Sequence, residues 1–141
     1  MPDQKARGIC TTMARRGKVL VVDDNDLVLA LTRARLESAG FDVIAKQGPL
    51  GTLPVILKEK PDVVLLDVSM PALRGDRLAE LINRQVGKVP IILFSSMAAG
   101  TLAQMADRVG ALGVIGKTTD DKAFLAEFER LFGRVAGAAK P

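Results

Sequence analysis

Two short apolar runs that each lead into aspartate constrain the fold of this chain more than any other feature. Residues 63–66 are consecutive valines and leucines, and Asp67 follows them directly. Residues 19–22 form a second run of the same kind, followed by Asp23 and Asp24. Runs of this length are typical of strands that are buried on both faces, as in the centre of a parallel sheet. We therefore predict two central parallel strands that both end in carboxylates.

Strand-like and helix-like segments alternate five times along the chain. The other strands are predicted at 41–45, 89–94 and 113–116, with a helix after each strand. Connections of this kind are right-handed crossovers between parallel strands. The sequence therefore predicts an α/β fold, a flavodoxin-like doubly wound five-stranded parallel sheet in the order 2-1-3-4-5 with helices on both faces.

Capping residues predict where three of the helices begin. Asn25 or Asp26 is expected to cap the first helix and Thr52 the second. Thr118, with Asp121 three residues later, resembles a capping box at the start of the final helix. The spacing of apolar residues in the first helix predicts a buried stripe of Leu27, Val28, Leu31 and Ala34.

The chain has room for one domain, which we place at residues 18–135 between a basic tail at 1–17 and a C-terminal tail at 136–141. Its hydrophobic content of 48% excludes a disordered chain, and no apolar run approaches the ~18 residues of a membrane span. One cysteine cannot form an internal disulfide, and the sequence begins without a signal-peptide pattern. We expect a cytoplasmic protein that does not bind a membrane.

The charge distribution argues against direct binding to nucleic acid. The net charge is +4, and residues 1–18 alone carry five basic groups and one acidic group. The rest of the chain is therefore neutral, and a short basic tail without aromatic residues is most often solvated. The chain also contains no histidine, which excludes the usual zinc hydrolases and Ser-His or Cys-His nucleophilic sites.

Acidic, hydroxyl and basic side chains follow the strands at the same edge of the predicted sheet. In the order 2-1-3-4-5, Asp23, Asp24 and Asp67 meet at the switch point, where their mutual repulsion favours a bound cation. Oxygen ligands of this kind suit Mg²⁺, with Mn²⁺ as the alternative ion. Ser95 and Lys117 follow the last two strands and add a hydroxyl and an ammonium. Such a site matches a phosphoryl group, with Asp67 as the nucleophile.

This pattern resembles the receiver domain of two-component response regulators, among them the chemotaxis regulators. The resemblance covers residues 18 to about 135 and rests on several motifs. The matching residues are Asp23 and Asp24 after the first strand, Asp67 within the segment 66–71, Gly75 after Pro71, Ser95 after Pro90, and Lys117.

The resemblance implies a phosphoacceptor domain rather than an enzyme. A phospho-histidine on a histidine kinase or histidine phosphotransfer protein would donate to Asp67, and the domain would assist its own phosphorylation and slow autodephosphorylation. Asp24, Asp67 and the backbone carbonyl of Ser69 would bind Mg²⁺ directly, with Asp23 acting through water. Ser95 and Lys117 would contact the phosphoryl oxygens.

Phosphorylation is expected to change a surface that binds a downstream protein. We place that surface on the fourth helix, the fifth strand and the fifth helix. The sequence leaves open the kinase, the target, the role of the basic tail and the formation of a homodimer. It also leaves open whether the chain is a stand-alone receiver or part of a longer protein.

Three positions affect how far the resemblance carries over. Val114 stands where the family commonly has an aromatic residue, so signalling by an aromatic rotamer is not expected. Thr118 replaces the proline that usually follows the lysine, so the bond between Lys117 and Thr118 is predicted to be trans. Met97 would shield the phosphoryl group without orienting a water molecule, which predicts slow hydrolysis. Arg74 and Arg108 are interpreted as solvated surface charges.

Two other functions stay open, and a third is disfavoured. A degenerate receiver would act as an unphosphorylated scaffold that binds proteins. A Mg²⁺-dependent aspartyl-phosphate phosphatase would usually need a second aspartate two residues after the nucleophile, where this chain has Ser69. Nucleotide binding is disfavoured because no G-x-G-x-x-G motif follows the first strand.

Overall fold

The computed structural model describes residues 16–96, 99–117 and 120–139, except for the side chains of 99 and 136–139. Within these ranges, five strands and five helices alternate along the chain. The strands are β1 (Lys18–Asp23), β2 (Asp42–Gln47), β3 (Val63–Asp67), β4 (Ile91–Ser95) and β5 (Gly113–Gly116). The helices are α1 (Asp26–Ser38), α2 (Thr52–Glu59), α3 (Gly75–Gln85), α4 (Ala99–Val109) and α5 (Asp121–Ala139).

The strands form one parallel sheet in the order β2-β1-β3-β4-β5, which confirms the predicted fold class and strand order. Val22 pairs with Leu66, so Asp23 and Asp67 follow at the same level of the sheet. Asp67 in turn pairs with Phe94 of β4. The carboxyl ends of these three strands therefore lie side by side along one edge of the sheet.

Helices cover both faces of the sheet. Successive residues of a strand point to opposite faces, so each central strand contributes to two cores. Residues 19–22 and 63–66 have no exposed surface, as expected of central strands. The core under α2, α3 and α4 takes Leu20, Val22, Val64, Leu66 and Leu93 from the strands. The core under α1 and α5 takes Val19, Val21, Val63, Leu65, Ile92 and Phe94.

All the phenylalanines of the chain belong to the core under α1 and α5. They are Phe41, Phe94, Phe124, Phe128 and Phe132. Phe94 meets Phe124 at a centroid distance of 5.7 Å, and Phe41 meets Phe128 at 5.1 Å. Both pairs are edge-to-face, the arrangement that the ring quadrupole favours. Phe124 and Phe128 stack at a centroid distance of 6.2 Å, so the rings form one connected cluster along α5.

The predicted apolar stripe of α1 is wrong for three of its four residues. Leu27 is 77% exposed, Leu31 is 46% exposed, and Ala34 is exposed as well. Only Val28 packs against the core. The residues of α1 that are buried are Leu29, Thr32, Arg35 and Leu36. The helix carries apolar residues on two sides, and the side that packs against the sheet also carries Thr32 and Arg35.

The helix starts agree with the predicted caps in one case out of three. Asn25 caps α1 by accepting hydrogen bonds from the backbone N–H groups of Leu27 and Val28 at 2.9 and 3.0 Å. Thr52 does not cap α2, because it is the first helical residue and its hydroxyl donates to the carbonyl of Pro49 at 2.6 Å. Gly51 holds the cap position with a φ of 84°.

The final helix begins and ends differently from the prediction. Asp120 supplies the cap of α5, since its carboxylate accepts from the backbone N–H groups of residues 122 and 123. Asp121 is thus the first residue of the helix, which rules out the predicted capping box; Thr118 itself lies outside the described residues. The helix extends into the predicted C-terminal tail, as far as Ala139.

The described part of the predicted basic tail packs on the domain. The backbone N–H of Arg16 donates to the carbonyl of Gly40 at 2.9 Å, and its side chain pairs with Glu129 at 2.7 Å. The carbonyl of Gly17 accepts from the N–H of Asp42 at 2.8 Å. Residues 1–15 lie outside the described residues. Across the described ranges, no helix combines the length and apolar content that crossing a membrane requires.

Candidate functional site

The structure places four of the predicted site residues at the carboxyl edge of the sheet. Asp23, Asp67 and Ser95 are the last residues of β1, β3 and β4, and Lys117 directly follows β5. The first three are buried, with exposed fractions of 0%, 3% and 1%. Parallel pairing brings these strand ends together, which is why residues far apart in sequence meet here. Their chemical roles stay a prediction.

Lys117 connects the two buried carboxylates. Its Nζ lies 3.1 Å from Oδ2 of Asp23 and 3.1 Å from Oδ1 of Asp67. The backbone N–H of Lys117 donates to the carbonyl of Ser95 at 2.9 Å, which ties the residue to β4. Two carboxylates this close repel each other when both are ionised, and a cation between them offsets that repulsion. Lys117 therefore supplies the positive charge in this arrangement.

Burial raises the pKa of Asp23 above its ordinary value of 3.8. The loss of hydration is the largest cause, and the nearby charge of Asp67 acts in the same direction. The backbone N–H of Asn25, which donates to Oδ1 of Asp23 at 2.8 Å, and the Lys117 ammonium both lower the pKa. Oδ2 is buried and accepts no hydrogen bond of good geometry, so the charge of Lys117 is its compensation.

The loop after β3 is held close to Asp67. The backbone N–H of Ser69 donates to Oδ1 of Asp67 at 3.1 Å, and that of Gly75 donates to the carbonyl of Val68 at 3.1 Å. A Cβ atom on residue 75 would lie only 2.3 Å from the carbonyl oxygen of Asp67. This close approach requires glycine at position 75 and fixes where α3 starts relative to the site.

The predicted metal ligands are only partly gathered. Asp24 is exposed, and its backbone carbonyl accepts a hydrogen bond from the Gln47 side chain at 3.4 Å. Within the described ranges, no three carboxylate, thiol or imidazole groups come close enough to hold a metal ion. The role of Asp23, Asp24, Asp67 and the Ser69 carbonyl as metal ligands therefore stays a prediction.

The donor atoms at this edge nevertheless fit a hard divalent cation. Asp23 and Asp67 present carboxylate oxygens, and Oδ2 of Asp23 is a buried acceptor without a hydrogen bond. Oxygen atoms of this kind are the ligands that Mg²⁺ and Mn²⁺ prefer. Asp24 would add its carboxylate to the set, and Ser69 would contribute its carbonyl.

Of the two positions where the chain departs from the family pattern, Val114 and Thr118, the structure describes Val114. It lies in β5 and packs, partly buried, against the core under α2, α3 and α4. Met97 and Thr118 lie outside the described residues, and so does the conformation of the bond between Lys117 and Thr118.

A buried carboxylate in the first turn of α3 was not identified from the sequence. Asp76, in the first turn of α3, is 4% exposed. Arg74 donates to it from Nε at 3.1 Å and from one terminal nitrogen at 3.3 Å. Arg108 of α4 donates to Oδ2 at 2.8 Å. Arg74 and Arg108 are more than half exposed, as predicted, but both are also held by this carboxylate.

The spacing of residues along α3 indicates from the sequence that Asp76 is buried. Asp76 lies three and six residues before Ala79 and Ile82, two buried residues on the inner side of α3. An acidic residue in phase with buried apolar residues needs a partner, because burying an unpaired charge is costly. The sequence alone does not show which basic residues provide it.

Comparison with known proteins identifies the family of the chain. The family described as "Response regulator receiver domain" matches residues 19–129. The transcriptional regulatory protein CseB of Streptomyces avermitilis is 32% identical over 92% of this chain and 54% of its own length. The chain spans about half the length of several transcriptional regulators that it matches.

Solved structures of receiver proteins superpose on nearly the whole described domain. The chemotaxis response regulator CheY4 of Vibrio cholerae matches with a TM-score of 0.74 and 26% identity, covering 81% of this chain and 97% of that one. The activated receiver domain of RstA from Klebsiella pneumoniae matches with a TM-score of 0.72 and 31% identity, covering 79% and 95%. The chain belongs to the response regulator receiver domain family.

Proposed function

We propose that this receiver domain, residues 18–135, is a switch that a phospho-histidine on a histidine kinase or histidine phosphotransfer protein turns on by phosphorylating Asp67. The observation that supports this most directly is the position of the Asp67 carboxylate. It ends β3 at the carboxyl edge of the sheet, 3.1 Å from the Lys117 ammonium and beside the end of β4 that carries Ser95. A nucleophile, a cation and a hydroxyl together suit phosphoryl transfer.

Asp67 is the proposed nucleophile of the two buried carboxylates. Asp23 has its Oδ1 bonded to the backbone N–H of Asn25 and its Oδ2 buried, and in the proposed arrangement it acts on Mg²⁺ through water. In the proposed transfer, a carboxylate oxygen of Asp67 forms a bond to phosphorus while the bond between phosphorus and the histidine nitrogen breaks. The electron pair of that bond stays on the imidazole nitrogen, which leaves as a neutral ring after taking a proton.

The other site residues would offset the negative charge of the transferred group. Lys117 would contact one phosphoryl oxygen through its ammonium, and the Ser95 hydroxyl would donate to another. Asp24, Asp67 and the Ser69 carbonyl would hold Mg²⁺, with Asp23 acting through water. The bound ion would supply further positive charge to the phosphoryl oxygens.

The exposed apolar side of α1 is a candidate docking surface for the donor. Leu27, Ala30, Leu31 and Ala34 are all exposed, although their spacing is that of one helical face. This side begins three residues after Asp24, at the edge of the sheet where Asp67 lies. A helix packed on this surface would bury apolar area and bring its own side chains close to the site.

Phosphorylation would act on a downstream protein through α4, β5 and α5. We place the responding surface there because Ser95 leads into α4 and Lys117 leads into α5. With Val114 in β5, the signal would not depend on an aromatic rotamer. We further propose slow autodephosphorylation, cytoplasmic localisation, and no direct contact with nucleic acid or membrane. Homodimer formation stays an open part of the proposal.

Mass spectrometry after incubation with acetyl phosphate and Mg²⁺ tests the proposed function. We expect a Mg²⁺-dependent gain of one phosphoryl group, which Asp67→Asn abolishes. Asp107→Asn, at an exposed aspartate of α4, is the matched control and should be phosphorylated normally. A gain that persists in Asp67→Asn would contradict the assignment of the nucleophile.

A scaffold that binds proteins without phosphorylation is the second candidate. The departures from the family pattern at Val114 and Thr118 favour it. The same assay separates the two functions, because a scaffold would gain no phosphoryl group at any Mg²⁺ or Mn²⁺ concentration. A Mg²⁺-dependent phosphatase would instead release phosphate from added phosphomonoesters.

A further inference from the structure

A buried arginine of α1 has no part in the chemistry proposed above. Arg35 lies on the inner side of α1, and its side chain is only 4% exposed. It is the one basic residue among the buried side chains of the described ranges. A charged group loses much hydration energy on burial and is retained only with suitable partners.

The partners of Arg35 lie at the start of α5. Its Nε donates to Oδ1 of Asp121 at 2.5 Å, and its guanidinium carbon lies 5.4 Å from the centre of the Phe124 ring. Asp121 is the first residue of α5, and its side chain is 67% exposed. Arg35 therefore ties an exposed helix start to the buried side of α1, through an ion pair and a cation–π contact.

Two routes connect this contact to Lys117. Along the chain, Asp121 comes four residues after Lys117, whose backbone N–H is bonded to the carbonyl of Ser95. Through space, Phe124 meets Phe94 edge-on, and Nζ of Lys117 lies 5.4 Å from the centre of the Phe94 ring. The buried guanidinium and the site ammonium thus lie at the two ends of one aromatic pair.

We propose that Arg35 is a positioning residue that fixes Lys117 beside the site carboxylates. Phe124 contacts both the Arg35 guanidinium and the Phe94 ring, beside which the Lys117 ammonium lies. The backbone of Lys117 is tied to β4, and the side chain of Asp121 is tied to Arg35 of α1. Removing the second tie would give the ammonium more positions to occupy. The inference rests on the proposed function, in which Lys117 offsets the phosphoryl oxygens.

The rate of phosphorylation by acetyl phosphate tests this role. Arg35→Gln removes the charge and the ion pair, and we expect the rate to fall roughly tenfold or more, since a misplacement of about 1 Å can cost about a hundredfold. Arg33→Gln is the matched control, because Arg33 lies on the same helix, is 52% exposed and pairs with Glu37. Equal rates for the two variants would overturn the proposal.

A double-mutant comparison separates positioning from general damage to the fold. In the Lys117→Met protein no ammonium is left to misplace, so adding Arg35→Gln should not slow the residual reaction further. Damage spread through the fold would lower the rate by the same factor in both backgrounds, and that result would refute the proposal. Asp121→Asn removes the exposed partner and should slow the reaction as Arg35→Gln does, which provides the test if Arg35→Gln does not fold.

The NMR signal of the Lys117 side chain gives a readout that does not depend on phosphorylation. In protein without phosphodonor or metal, Arg35→Gln and Asp121→Asn should shift the Cε resonance of Lys117, whereas Arg33→Gln should not. An unchanged resonance in the first two variants would overturn the positioning role. If the unmodified protein gains no phosphoryl group, the proposed function fails, and a shifted resonance would still support the role of Arg35.

Discussion

Gly75→Ala should destabilise the protein more than the same exchange at Gly100 or Gly133, the other helical glycines whose surroundings the structure describes. The added Cβ would lie 2.3 Å from the carbonyl oxygen of Asp67 and 2.9 Å from its carbonyl carbon, whereas ordinary contact begins at 3.4 Å. The two groups must therefore separate by about 1.1 Å. Both contacting atoms belong to the backbone of β3, so neither can swing aside as a side chain would.

The expected magnitude follows from the cost of overpacking. Forcing extra atoms into a packed site costs about 1–3 kcal/mol. Alanine normally gains up to about 1 kcal/mol over glycine inside a helix, but Gly75 is the first residue of α3 and would gain little of this. We expect the free energy of unfolding to fall by about 2 kcal/mol, which lowers Tm by roughly 6–8 °C for a chain of this size.

Thermal and urea denaturation of Gly75→Ala and Gly133→Ala would measure the difference. Gly133 lies in α5, and no atom lies within 4 Å of the position that an added Cβ would take, so its exchange should raise the free energy of unfolding by about 0.5–1 kcal/mol. Gly75→Ala should also slow phosphorylation of Asp67 at temperatures where it is folded. A Gly75→Ala protein as stable as Gly133→Ala would refute the close approach to β3.

Three further outcomes are expected. Burial raises the pKa of Asp23 in the folded state, so the free energy of unfolding should fall as pH rises from about 4 through that raised pKa. Asp23→Asn should flatten this dependence of stability on pH and raise Tm at neutral pH. A lowered Tm in Asp23→Asn would contradict the argument. Asp76→Asn should lower the free energy of unfolding by about 1–2 kcal/mol in urea titrations, and Arg108→Gln should add little in that background because the ion pair is already lost. Leu31→Glu should slow phosphoryl transfer from a histidine phosphotransfer protein roughly tenfold in stopped-flow assays, while the rate of phosphorylation by acetyl phosphate stays unchanged. Leu57→Glu, at an exposed leucine of α2, is the control and should change neither rate. Equal transfer rates for the two variants would exclude α1 as the docking surface.

The predicted sheet agrees with the structure because its signals are local and unambiguous. Residues 19–22 and 63–66 are apolar without interruption, and only a strand buried on both faces accommodates such runs easily. The spacing of Leu102, Met105 and Val109 likewise predicts one apolar side for α4, and all three residues are buried. In both cases the pattern of apolar residues fits one placement, a strand buried on both faces or a helix with one buried side.

The helix α1 shows where this reasoning fails. Leu27 and Leu31 define one apolar side, and Leu29 and Leu36 define another, so periodicity alone cannot say which side meets the sheet. The side that meets the sheet also carries Arg35, whose partner Asp121 lies on α5, 86 positions away in sequence, so no local pattern reveals that pairing.

The site was predictable where strand ends determine it. Asp23 and Asp67 follow buried runs, so topology alone brings them together. The exposure of Asp24 was not predictable, because the direction of a side chain after a strand depends on the local turn. The inward direction of Asp76 depends on partners from a second helix, which no local pattern reveals.

The phenylalanine cluster along α5 gives the protein a spectroscopic asymmetry. The chain has neither tryptophan nor tyrosine, so its near-ultraviolet circular dichroism comes from phenylalanines that all lie on the α1 and α5 side of the sheet. Near-ultraviolet signals therefore report the melting of one half of the core, while far-ultraviolet signals report the backbone on both sides. Coincident transitions would show that the two halves unfold together, and separated transitions would show two cooperative units in one small sheet.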